Sequence, residues 1–66
     1  MRELKDGSFK ASVRTHGDID ASAICNRLSG GGHMGAAGCT LYGPKQTAIN
    51  ALLKEVQAEI DAYIID

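Results

Sequence analysis

The stretch Gly30-Gly31-Gly32-His33-Met34-Gly35-Ala36-Ala37-Gly38 governs how the rest of this chain is read. Three consecutive glycines suit no packed element, because each costs about 1 kcal/mol relative to alanine in a helix and brings no side chain to bury. They do let successive backbone N–H groups turn toward an anion, and they let a ligand approach the main chain at contact distance. Gly30 to Gly38 therefore reads as a backbone loop that holds a phosphate-bearing ligand. A flexible linker would not set a histidine and paired alanines between well-capped elements. Gly30, Gly32 and Gly35 also spell the dinucleotide fingerprint GxGxxG, but that fingerprint needs a strand before it and a long helix after it. Here a helix is expected before and a short strand after. No GxxxxGK string exists, which excludes a P-loop.

The segment upstream of the loop explains that order. Arg2 to Leu4 and Ser8 to Arg14 flank Lys5-Asp6-Gly7, and Asp-Gly is a strong hairpin signal because glycine accepts the positive φ such turns require. The second arm alternates Phe9, Ala11 and Val13 with Lys10, Ser12 and Arg14, as a strand with one buried face does. Only a stub of the first arm is present, so its strand is expected to begin before Met1. After His16-Gly17-Asp18 a short helix is expected over Ala21 to Leu28, capped by Asp20 and stapled by Ile19 against Ile24. Ile24, Cys25 and Leu28 share its apolar face, and Gly30 is placed to end it in the left-handed conformation.

Downstream, Cys39 to Tyr42 is a short apolar run that reads as a further strand, closed by Gly43 and by Pro44, a good first residue for a helix. Ile49, Leu52, Leu53, Val56, Ile60, Tyr63 and Ile64 then repeat at helical spacing over roughly five turns. The expected fold class is α+β: a small layer of two helices on a short β-sheet made of a hairpin plus one further strand.

Length and composition bound the function. The chain has 66 residues, 44% hydrophobic and 23% charged, which allows a single domain at most. A chain this short buries only about 60% of the surface its unfolded form exposes, so a small core and membership of a larger protein are expected. Cys25 and Cys39 are too few for a disulfide framework. His16, Cys25, His33 and Cys39 lack the close ligand spacing of structural zinc sites. No orienting third group marks a Cys–His nucleophilic pair, so the two cysteines read as small buried hydrophobes. No apolar run approaches the roughly 18 residues of a membrane span, and the N-terminus is too polar for a signal peptide. A cytoplasmic chain with reduced thiols is expected.

Charge is divided along the chain. Residues 1–45 carry Arg2, Lys5, Lys10, Arg14, Arg27 and Lys45 against Glu3, Asp6, Asp18 and Asp20, a net +2, whereas residues 46–66 are net −3. An anion should meet the first part. Within it, His33 can donate to a phosphate oxygen or stack on a base, a contact sensitive to pH near neutrality. Arg14 can grip a phosphate with two parallel N–H groups.

These residues carry a family resemblance. Ser12-Val13-Arg14-Thr15, the short helix, and Gly30-Gly31-Gly32-His33 followed by Ala36-Ala37-Gly38 resemble, in order and spacing from Asp6 to about Ile60, the C-terminal DHH-associated domain of the DHH phosphoesterases. The resemblance implies that the whole chain, residues 1–66, is one substrate-binding domain of a two-domain, manganese-dependent hydrolase. The N-terminal DHH catalytic domain would hold the Mn2+ ions. The domain seen here would contact substrate through Arg14, Gly30, Gly31, Gly32 and His33, with no catalytic or metal-ligating residue and no cofactor of its own. Substrates in the family include short oligoribonucleotides, 3′-phosphoadenosine 5′-phosphate, cyclic dinucleotides and, for RecJ-like exonucleases, single-stranded DNA. Met34-Gly35 replaces the polar pair common in the family's loop, which leaves the substrate subclass open. A second reading is a nucleic-acid binding module without hydrolytic activity, like the C-terminal domain of alanyl-tRNA synthetases. A third is a structural module that self-associates through the stripe from Ile49 to Ile64.

Overall fold

Asp6-Gly7 turns the chain as its composition demands, with Gly7 at φ +87° and the Leu4 N–H donating to the Ser8 carbonyl at 2.7 Å. The turn joins β1 (Arg2–Glu3) to β2 (Phe9–Arg14). Four further elements follow: α1 (Ala21–Asn26), β3 (Gly31–His33), β4 (Ala36–Leu41) and α2 (Lys45–Ile65). The computed structural model describes residues 1–65, and side chains of residues 1–62. The fold is α+β, with a four-stranded antiparallel sheet in the order β1-β2-β4-β3 and two helices.

The sheet has one strand more than a hairpin plus one further strand. The glycine segment is not a loop: Gly31, Gly32 and His33 pair with Gly38, Ala37 and Ala36 across a two-residue turn at Met34-Gly35. The downstream strand correspondingly starts at Ala36 rather than Cys39. Glycine has low strand propensity because it lacks a side chain to pack, but a backbone ladder needs only N–H and C=O groups.

Alternation sorts the two central strands. Phe9 faces Leu41, Ala11 faces Cys39 and Val13 faces Ala37, and these apolar pairs line the face covered by the helices. Cys25 of α1 and Ala48 of α2 complete the buried cluster. Cys25 and Cys39 are both free and buried. Burial, with the Cys25 thiol beside it, pushes the Cys39 thiol up to about 11, so it stays a neutral core group.

Asp20 caps α1 as expected, its carboxylate accepting from the N–H groups of Ser22 at 2.9 Å and Ala23 at 3.2 Å. The helix does not end on a left-handed Gly30. Ser29 takes the left-handed position at φ 63°, while the Gly30 N–H bonds the Cys25 carbonyl at 2.7 Å and the Ser29 N–H bonds that of Asn26 at 3.2 Å. This is a Schellman ending moved one residue earlier. Ile24 and Cys25 are fully buried and Leu28 half-buried, so the expected apolar face is present. On α2, Ala48 is buried and Leu52, Val56 and Ile60 are half-buried. Leu53, expected in the stripe, is mostly exposed, because the covered sector is narrower than the apolar pattern; the Tyr63 and Ile64 side chains lie outside those described. Arg27 ties the helices together at the surface, donating to the Glu55 carboxylate at 2.9 Å and to the Glu55 carbonyl at 3.1 Å.

One pH effect follows from the caps. The Ser8 hydroxyl holds the Asp6 carboxyl, and the Ser22 hydroxyl the Asp20 carboxyl, below the ordinary value of 3.8. A carboxyl depressed in the folded state stabilises the fold above its unfolded pKa, and that stabilisation is lost as pH falls through the folded value. Thermal melts of wild type between about pH 5 and about pH 2 should therefore drop more steeply than those of Asp6→Asn/Asp20→Asn. Parallel curves would contradict this.

Candidate functional site

The opposite face of the sheet is uncovered. Strand register places Arg14 of β2, Ala36 of β4 and His33 of β3 in one cross-strand row. Partners in such a row share a face. Arg14 and His33 thus flank a methyl group, their backbones about 10 Å apart across two strand spacings. The next row along β2 is Ser12, Gly38 and Gly31, so the floor beside them is almost free of side chains. A depression of about 310 Å³ lies here, lined by Ser12, Arg14, Gly31, Gly32, Ala36 and Gly38 together with Val13 and Ala37. It is at the small end for a ligand pocket and open to one side, which suits part of a ligand held against one wall.

The glycines divide into two kinds. A methyl on Gly30 would drive into the Gly38 carbonyl oxygen and lie 2.7 Å from Cβ of Cys39. One on Gly32, at φ +150°, would lie 2.5 Å from Cα of Ala37. Both positions require glycine for close strand packing. A methyl on Gly31 would come no nearer than 3.5 Å to Asn26 Oδ1, and one on Gly38 no nearer than 3.4 Å to the Ala11 carbonyl, both ordinary contacts. Packing does not demand glycine at these two cross-strand partners; their missing side chains leave open floor.

The tip of the β3–β4 hairpin is fixed from outside. The Thr15 hydroxyl donates to the Met34 carbonyl at 2.9 Å and the Thr15 N–H to the Gly35 carbonyl at 3.1 Å, while the Ala21 N–H at the start of α1 also reaches the Met34 carbonyl, at 2.7 Å. Thr15 is thus a positioning residue that the sequence does not announce. Its signal was only its place directly after Arg14. The hairpin, and His33 with it, is thereby held in fixed register with Arg14.

Of the five residues expected to bind, Arg14, Gly31 and Gly32 line the depression, whereas His33 and Gly30 lie outside its lining, His33 sharing the cross-strand row of Arg14 and Ala36. Among the described residues, Arg14 and His33 form no ion pair. No group of three His, Cys, Asp or Glu side chains among the described residues sits together as a metal-holding set. Among the described residues, no helix is long and apolar enough to cross a membrane.

Two comparisons bear on the site. A family model for the DHHA1 domain matches residues 1–62. The chain is 38% identical over 61 residues to a protein of Thermus thermophilus, the bifunctional oligoribonuclease and PAP phosphatase NrnA. That match covers 91% of this chain but only 18% of the relative, so the chain spans less than a fifth of the protein it resembles.

Proposed function

The chain belongs to the DHHA1 domain family, and from that premise we propose that it is the substrate-holding domain of a phosphoesterase acting on short oligonucleotides or a nucleotide bisphosphate. The observation that carries the reading is the row Arg14, Ala36, His33 beside a floor almost free of side chains. A guanidinium and an imidazole on either side of a small residue in one row supply donors to phosphate oxygens, and the low floor beside them leaves room for sugar and base. In this reading the bond-breaking chemistry, and the Mn2+ it uses, belong to a DHH domain in the rest of the parent protein. The kinship to an oligoribonuclease and PAP phosphatase supports the substrate class.

Binding of a labelled short oligoribonucleotide by wild type, Arg14→Ala and His33→Ala tests this by fluorescence anisotropy. Loss of a charged hydrogen bond to phosphate should weaken Arg14→Ala roughly tenfold or more. His33→Ala should weaken binding by a smaller factor. Equal affinities for all three proteins would remove both residues from the site.

A further inference from the structure

The basic character of the open face does not stop at Arg14. Arg2 of β1 pairs with Lys10 of β2, and Lys10 pairs with Thr40 of β4, forming one more row on that face. Lys10 lies four residues along β2 from Arg14, about 13 Å, with Ser12 and Gly38 between them. No acidic residue stands in these cross-strand rows. Glu3 pairs with Phe9 on the helix-covered side, Asp6 and Asp20 sit in a turn and a cap, and Glu55 and Glu59 are on α2 engaging Arg27. A chain of net charge −1 thus presents a strip whose charges are all positive.

We propose that Lys10, flanked by Arg2 and Thr40, is a second phosphate subsite, and that the open face is a track for a single-stranded oligonucleotide rather than a seat for one nucleotide bisphosphate. The proposal rests on the reading of Arg14 and His33 as phosphate contacts. Neighbouring phosphates of one strand lie closer together than Lys10 and Arg14 do. A ligand that reaches both ends therefore carries a further phosphate over Ser12 and Gly38, where a hydroxyl and bare backbone can receive it. Flexible exposed lysine and arginine side chains suit such contacts, which position a backbone without reading its sequence.

The test compares a labelled pentaribonucleotide with labelled adenosine 3′,5′-bisphosphate, using wild type, Lys10→Ala, Arg14→Ala and, as an equal change of net charge on α2, Lys54→Ala. Lys10→Ala should weaken the pentanucleotide roughly threefold to tenfold, lower the slope of log affinity against log salt by about 0.7, and leave the bisphosphate unchanged. Lys54→Ala should change neither. Unchanged pentanucleotide binding by Lys10→Ala, or equal weakening of both ligands by Lys10→Ala and Lys54→Ala, overturns the second subsite. If Arg14→Ala weakens both ligands while Lys10→Ala weakens neither, only this proposal falls. If Arg14→Ala weakens neither, or wild type binds neither, the underlying reading falls with it.

Discussion

Gly30→Ala should unfold the chain under conditions where Gly31→Ala stays folded. At position 30 the added methyl meets the Gly38 carbonyl oxygen and the Cα and Cβ of Cys39, which are main-chain or main-chain-anchored atoms that no rotamer change can move aside. Overpacking that forces the backbone to shift costs about 1–3 kcal/mol and occasionally more. A domain of this size has only about 3–10 kcal/mol to lose. At position 31 the nearest atom is a side-chain oxygen at 3.5 Å and the backbone is outside the left-handed region, so the change should stay within about 1 kcal/mol. Urea titrations followed by circular dichroism separate the two. A Gly30→Ala midpoint equal to that of wild type would show that the strands do not approach as closely as described. The expected difference gives adjacent glycines of one motif different duties, one fixing the hairpin against β4 and one leaving open floor.

Ile24→Ala is the second large effect. Ile24 and Cys25 are the largest fully buried side chains among the described residues. Ile24 shares a groove of about 490 Å³ with Ile19 and with Leu52, Val56 and Ile60 of α2. Removing its branched side chain forfeits burial and opens a cavity beside an existing groove, at a cost of about 2–5 kcal/mol. The loss should appear as a lower thermal midpoint together with reduced helical signal, because α2 outside the sheet contact relies on this packing and on Arg27. Leu53→Ala, on the exposed side of α2, should change stability by no more than about 0.5 kcal/mol. Similar losses from the two substitutions would mean that the buried sector of α2 is not the one described.

Local physics was legible in the sequence wherever it acts over a few residues. Asp6-Gly7 announced a turn, Asp20 a helix start, the alternation from Phe9 to Arg14 a two-faced strand, and Pro44 the entry to the last helix, where its carbonyl accepts from Ala48 at 3.0 Å. Arg14 and His33 are legible as candidate binding side chains from their residue types and neighbours. The third strand was not legible, because glycines carry no side-chain pattern from which pairing can be read. Nor was the helix ending on Ser29, because a serine enters the left-handed region only when the following bonds to Cys25 and Asn26 hold it there.

The sequence by itself determined the kinds of elements, the membership of a family and the chemistry on offer: cations, an imidazole and bare backbone. Only the tertiary structure decided how these are shared between faces. Along the chain the charges divide between an N-terminal and a C-terminal part; across the sheet they divide between an open face bearing Arg2, Lys10 and Arg14 and a helical layer bearing Glu55 and Glu59. The reason is register. Pairing β4 with β2 on one side and β3 on the other sets residues far apart in sequence into one row, and a shift of one residue would send Arg14 and Ala36 to opposite faces.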